Sequence, residues 1–331
     1  MKLSLCIATF NEEQNIHYPL DSAYDLVDEV VIVDGGSTDK TVEKAKSYGR
    51  KVRIFIEDNP PMFHINKQKA IERAKGEWIL QLDADEGLSD ELKKEIENIV
   101  MLSGAKHLSR MRENNSNKLR DSSASPQNDK EVAYYLPRKN FFLTRFLMKG
   151  GQYPDYTIRL YRNGYVRFPC KDVHENVEII SQKLKVKSQK FKNQEGVRTS
   201  EVEEDSDVTS EDGKTSEVNL KIGYLKNPIL HYADPDFSRY LQRWDRYTTL
   251  EAEQLAKKFH PPTSIFHLLL MFIDYFIIKP SLWFILTYIR HLGFLDGFPG
   301  FVFALFSSIR FWAIYVKFWQ LQINNNKFIP S

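Results

Sequence analysis

An α/β fold built on a parallel, doubly wound sheet is the class that this 331-residue sequence predicts, and three observations predict it. Over the first hundred residues, short apolar runs of strand character alternate with longer amphipathic stretches, the pattern of βαβ units. Three of those runs break off into polar clusters, at residues 9–13, 34–39 and 83–86. Ligands of such sheets bind beyond the carboxyl ends of the strands, so three clusters at three such ends mark one site.

Each element follows in order. Residues 3–8 read as a buried strand, residues 15–26 as a helix, and residues 29–33 as a second buried strand that runs into the turn Asp34-Gly35-Gly36-Ser37. A helix over 40–48 stops at Gly49, residues 52–56 make a third strand, residues 66–74 a helix, and residues 78–82 the fourth strand. Ser89 then caps a helix to about Met101, with Asp90 and Glu91 well placed against its dipole.

Composition limits the partners. A hydrophobic content of 42% supports a true core and excludes a disordered chain. Lys+Arg of 46 against Asp+Glu of 44 leaves no basic field, so nucleic acid is not an expected partner. Cys6 and Cys170 form neither a disulfide framework nor a zinc site, which suits a reducing compartment. Lys2 is followed by strand-like alternation, so the opening is not read as a signal peptide.

The chemistry is expected at Trp78-Ile79-Leu80-Gln81-Leu82-Asp83-Ala84-Asp85-Glu86. In extended backbone residues two apart share a face, which would aim Asp83 and Asp85 together at one hard divalent cation, Mg²⁺ or Mn²⁺. The plainer reading is a solvated acidic turn before a helix.

With TFNEE after the first strand, VIVDGGSTDKT at the second and LQLDADE at the fourth, the chain resembles the family 2 glycosyltransferases, whose nucleotide-sugar-binding domain has the GT-A fold. The resemblance implies that Thr9, Asn11, Glu12 and Glu13 line a nucleotide pocket and that Asp34 accepts a hydrogen bond from the base. It also implies that Asp83 and Asp85 hold the metal and diphosphate. Many relatives carry a second acid where this chain has Gly35, so only Asp34 is carried over.

Residues 103–130 are polar and read as a mobile loop, with order returning at Tyr134. The runs from Tyr135 to Phe142, Gly150 to Tyr156 and Ile158 to Arg162, followed by Val173-His174-Glu175, resemble the branch that includes the lipopolysaccharide-core β-1,4-glucosyltransferases. That resemblance implies acceptor-side catalytic residues here. Glu175 is the expected base, beside an imidazole, and Asp155 the second candidate; either acid could instead simply pair with Arg138, Arg159 or Arg162. Residues 182–217, a basic half and then an acidic half, read as a charged low-complexity insertion.

The resemblance to GT-A enzymes implies that His231 is the late metal or diphosphate ligand, with a structural histidine as the plainer reading, and Arg243 or Arg246, on a helix over 237–258, is the expected phosphate clamp. The processive Gln-x-x-Arg-Trp pattern is displaced here, which argues against a polymerising synthase. Two apolar runs follow from about residue 264, interrupted by Asp274, Lys279, Pro280, Arg310 and Lys317, and they read as interfacial or re-entrant helices rather than clean spans. Trp283, Trp312 and Trp319 suit headgroup level.

The expectation is a catalytic domain over 1–235 and a helical region over 236–331 at the cytoplasmic face of the cell membrane. It would act as an inverting, metal-dependent hexosyltransferase that moves one sugar from a nucleoside-diphosphate sugar, of UDP type, to a lipid-linked or lipopolysaccharide-core glycan. Two rivals are a sugar-phosphate nucleotidyltransferase, which needs glycines where Asn11-Glu12 stands, and a non-catalytic membrane-associated scaffold. A phosphatase would need Thr or Val where Gly87 stands.

Overall fold

The computed structural model of the chain describes residues 1–113, 131–170, 177–180, 221–258 and 265–324. The first half runs β1 (Leu3–Thr9), α1 (His17–Ala23), β2 (Glu29–Asp34), α2 (Thr41–Ser47), β3 (Val52–Ile56), α3 (His64–Arg73), β4 (Trp78–Gln81), β5 (Glu86–Leu88) and α4 (Asp90–Glu113). Then come β6 (Glu131–Phe142), β7 (Arg145–Phe146), β8 (Asp155–Arg162), β9 (Val166–Arg167), β10 (Glu178–Ile179), β11 (Lys221–Tyr224) and β12 (Ile229–Asp234). The C-terminal helices are α5 (Phe237–Lys258), α6 (Ile265–Ile273), α7 (Lys279–Phe284) and α8 (Gly297–Asn324).

The early strands are apolar throughout because both faces are covered. Leu3, Leu5, Ile7, Val30, Ile32 and Leu80 alternate onto one face, against Ile16 and Leu20 of the first connection and Leu92 and Ile96 of α4. Cys6, Val31, Val33 and Ile79 alternate onto the other, against Ala70 and Ile71 of α3. α4 starts as the sequence predicts, with Ser89 Oγ accepting the Leu92 N–H at 3.2 Å. It continues to Glu113, so the stretch expected as a loop from residue 103 begins as helix; residues 114–130 and the charged insertion lie outside the described residues.

The strand order β3-β2-β1-β4-β8-β6-β12-β5 corrects the expectation of a parallel sheet. The first four strands are mutually parallel, and β6 runs parallel to both β11 and β12. β8 then enters antiparallel between β4 and β6, and β5 closes the far edge antiparallel to β12. The chain moves outward from β1 to β3 and returns past β1 to β4, so the order reverses at β1 and β4. A crevice opens at the carboxyl ends of that pair.

The C-terminal module packs on this sheet through α5. Tyr240 and Trp244 meet Val302, Phe303 and Phe306, and farther along Ala252 meets Ile314 and Phe318, so α5 and α8 run side by side in the same sense. Between α6 and α8 the chain takes two wide π-helical turns, Asp274–Ile278 and Ile285–Arg290, around Pro280. Proline has no N–H for the carbonyl four residues back. That carbonyl, of Phe276, instead accepts the Trp312 indole N–H at 3.0 Å, which ties the two apolar helices together.

Candidate active site

A cleft of about 800 Å³ lies over the carboxyl ends of β1 and β4 and reaches along the sheet to α5 and α8. Its charged floor comes from the link between β4 and β5. The strand ends at Gln81 and residues 84–85 form a turn, so the extended-backbone alternation expected for Asp83 and Asp85 does not hold. Both acids still line the cleft, with different partners.

Asp83 is held by cations. Its Oδ1 lies 2.5 Å from Lys67 Nζ and its Oδ2 2.8 Å from the Arg159 guanidinium. Burial works to raise its carboxyl, but the charges of Arg159 and Lys67 hold it well below the usual carboxylate range. Arg159 also reaches Glu86, at 2.9 Å, and Gln81 Oε1. Glu86 is fully buried, accepts the Asp83 backbone N–H at 3.0 Å and meets Arg138 at 3.2 Å. Arg138 is bound in turn by Asp155, at 2.6 Å. Lys67, Arg138 and Arg159 thus interleave with Asp83, Glu86 and Asp155, and the lattice fixes the acidic turn.

Asp85 faces a second group. Its Oδ1 lies 3.6 Å from His231 Nε2 and its Oδ2 3.2 Å from Arg239. Burial opposes ionisation of Asp85, yet His231 and Arg239 hold its carboxyl below its ordinary value. On the far side of the imidazole, Nδ1 lies 2.7 Å from Asn140 Oδ1, a contact that orients the ring with Nε2 toward Asp85. Glu12 closes the group from the loop after β1. Burial raises its carboxyl, and the charges of Asp85 and Asp83 add to the rise, against a hydrogen bond from Asn15 at 2.6 Å. The corner carries an excess of carboxylate that a cation would relieve.

The structure sorts the other expected site residues. Thr9, Asn11, Glu13 and Asp34 stand beside the cleft and tie its loops together. Thr9 Oγ1 donates to Asp34 at 2.8 Å, while the other oxygen of Asp34 accepts the N–H groups of Gly36 and Ser37 at 3.1 and 2.7 Å. Ser37 Oγ adds a fourth bond, so Asp34 holds its own turn, in which Gly36 takes φ +79°. Asn11 joins Ser37 and Thr38, and Glu13 joins Asp39 and Lys40. Arg243 lines the cleft, bound to Asp234, whose carboxyl is raised by burial although Arg243 works to lower it. Asp155 lines the cleft and pairs there with Arg138. Glu175 and its neighbour His174 lie outside the described residues.

Sequence reasoning missed Lys67 as a site residue, since nothing in its helix sets it apart from surface lysines until the fold lays it against Asp83. Glu86 was visible as the third acid of the cluster but not as a buried charge. Among the described residues no three His, Cys, Asp or Glu side chains converge as a ready metal site, and the Asp85–His231 pair is the nearest approach to one.

Comparison with known proteins bears on this arrangement. The family model described as Glycosyl transferase family 2 matches residues 4–166. A stretch of 99 residues is 42% identical to an uncharacterized glycosyltransferase of Rickettsia bellii, over 30% of this chain and 32% of that protein. A match of 94 residues is 36% identical to the glycosyltransferase SunS of Bacillus phage SPbeta, over 28% of this chain and 22% of that one. The matched stretch thus spans about a third or less of these relatives' length. Among solved structures, residues 1–349 of S. aureus TarS align over 100% of this chain and 93% of that one, at 14% identity and a TM-score of 0.35. Glucosyl-3-phosphoglycerate synthase of Mycobacterium tuberculosis, solved with Mn²⁺ and uridine-diphosphate-glucose, aligns over 26% of this chain and 34% of that one, at 25% identity and a TM-score of 0.24.

Proposed function

We propose, from the premise that residues 4–166 form a glycosyl transferase family 2 domain in a GT-A-like α/β fold, that the chain moves one hexose from a UDP-type donor to a lipid-linked or lipopolysaccharide-core glycan with inversion. The observation that carries the reading is the meeting of Asp85 and His231, distant in sequence but brought side by side by the pairing of β5 with β12, at 3.6 Å beside a fixed lattice of arginine and lysine. A carboxylate oxygen and an imidazole nitrogen, the latter oriented from behind by Asn140, fit a divalent cation of the Mn²⁺ or Mg²⁺ kind, with the nitrogen favouring Mn²⁺. Asp85 and His231 would hold it, and when bound it would neutralise charge on the donor diphosphate. Asp83 has a different part, because Lys67 and Arg159 already occupy its carboxylate: it keeps both cations on the cleft floor, where they add positive potential under the diphosphate.

The acceptor hydroxyl needs a base on the opposite side of the sugar. Glu175 is assigned that role. Asp155 is held by Nε and a terminal nitrogen of Arg138 at 2.9 and 2.6 Å, which suits an orienting group better than a proton acceptor.

Membrane attachment belongs to the same reading. Two helical stretches, Leu269–Arg290 and Gly293–Gln322, are long and apolar enough to cross a bilayer. Their outer face shows Leu269, Ile277, Leu282, Ile285, Phe298 and Trp319 to solvent. α8 runs alongside α5, whose Arg246, Glu253, Lys257 and Lys258 are exposed, and a crossing α8 would draw those charges into hydrocarbon. An in-plane pair, with its apolar side in the interface, avoids that cost. Cys6 and Cys170 are both free thiols, which suits the cytoplasmic face.

The test is a screen of nucleoside-diphosphate sugars for release of nucleoside diphosphate by the full chain. UDP-sugars should turn over in Mn²⁺ and stop in excess chelator, and Glu175→Gln should lose transfer by roughly 10²–10⁴-fold while keeping donor affinity. Absence of turnover with every donor and metal would remove the enzyme reading and leave the scaffold. Near-normal transfer by Glu175→Gln, with Asp155→Asn inactive but binding donor, would reverse the assignment of the base.

A further inference from the structure

Charged side chains set into the apolar C-terminal module mostly have close partners. Asp274 and Lys279 pair at 2.7 Å, and Asp296 accepts the backbone N–H groups of Met148 and Lys149 at 3.0 and 2.7 Å. Lys317 reaches Asp245 at 2.7 Å and the Thr248 and Thr249 hydroxyls at 2.8 Å. Arg310 differs. Its guanidinium lies 4.6 Å from the Trp283 ring centroid and 5.0 Å from that of Phe311. Its buried Nε–H has no acceptor, and among the described residues it forms no ion pair. Glu251 lines the same end of the cleft without pairing to it.

Phe303, Ser307 and Arg310 are spaced i, i+4, i+7 on α8, which puts them on one face, and all three line the cleft. Other positions of the same helix, Trp312, Val316 and Trp319, are exposed and apolar. A guanidinium set against aromatic rings keeps its full charge and has N–H groups left for an anion. The cation is thus available where the polar cleft meets the apolar module, apart from Asp85 and His231. We infer that Arg310 is the phosphate-binding residue of an acceptor subsite, taking the phosphoester that joins the acceptor glycan to its lipid while the lipid chain follows the apolar surface. The inference rests on the reading of the cleft as a glycosyltransferase site.

The probe is dodecyl phosphate, titrated into the full chain in phosphatidylcholine nanodiscs and followed by tryptophan fluorescence, since Trp283 lies against Arg310. Saturable binding is expected for dodecyl phosphate and not for dodecanol. Arg310→Gln should weaken it at least about tenfold, and Arg310→Lys by less, because one charge-assisted hydrogen-bonding edge is at stake. Should Arg310→Gln fail to fold, Ser307→Glu, which puts an acid one turn away on the same face, must weaken binding in its place. Unchanged affinity in these variants overturns the proposal, as does dodecanol binding equally well. An equal response to phosphatidylglycerol discs without dodecyl phosphate would do so too, since it would mean attraction to headgroups in bulk. A tenfold loss of UDP affinity in Arg310→Gln would instead move the residue into the donor site and overturn the assignment. Arg310-dependent binding in a chain that turns over no nucleotide sugar would remove the glycosyltransferase reading and keep the anion site; turnover without such binding would do the reverse.

Discussion

Asp83 shows what a single carboxylate does when two buried cations close on it. Because its carboxyl is held well below the usual range, the stability it contributes is complete above the unfolded value of about 3.9 and is lost as pH falls through the lower folded value. Asp83→Asn should therefore cost about 3 kcal/mol at neutral pH, since Lys67 and Arg159 lose their shared partner. Chemical denaturation across pH 2.5–7 checks this: the variant should show a shallower loss of stability below about pH 4 than the parent. Equal acid limbs would mean that the lattice is not what ionises Asp83. At this scale the sequence was partly legible. Asp85 and His231 were singled out by type and position, and the fold brings them together. Lys67 was not, because a lysine on a helix face has no signature until its tertiary partner is known, and the bonds by which Asp34 holds Thr9 and its own turn are visible only in the fold.

Elements with one strong periodicity were read well. β1, β2, β3 and α5 fall where alternation or helical spacing put them, α5 at the expected bounds of 237–258. The apolar module was harder. Asp274 and Lys279 looked like obstacles to burial in lipid, but a π-helical turn lets them pair with each other. Trp283, expected at headgroup level, lies beneath Arg310, while Trp312 and Trp319 are exposed. Removing the module is a poor test of membrane attachment, because Tyr240, Trp244 and Ala252 of α5 pack on α8 and would be bared. The better variant is Ile277→Glu with Leu282→Glu on the outer face, where both side chains are exposed. It should fold as the parent does and lose most sedimentation with phosphatidylcholine–phosphatidylglycerol vesicles, since each charge opposes transfer into the interface by on the order of 1–3 kcal/mol. Undiminished sedimentation would place the lipid contact elsewhere.

At the scale of the whole molecule, the sheet combines a parallel half, which the sequence announces through βα alternation, with a mixed half, which it does not. β6, β8 and β12 lie far apart in sequence, and no short-range pattern tells which of them pairs with β4. That half nevertheless supplies Arg159, Arg138, Asn140 and His231, so the site is complete only when both halves are in place. The central claim is that Asp85 and His231 form one cation site that serves the donor diphosphate. The most direct test is a titration of Mn²⁺ into the full chain by electron paramagnetic resonance, with and without UDP. The account predicts that UDP tightens Mn²⁺ binding, that Asp85→Ala abolishes the coupling, and that His231→Ala weakens it at least about tenfold. Equal UDP affinity in Mn²⁺ and in excess chelator, or coupling that survives Asp85→Ala, would contradict it.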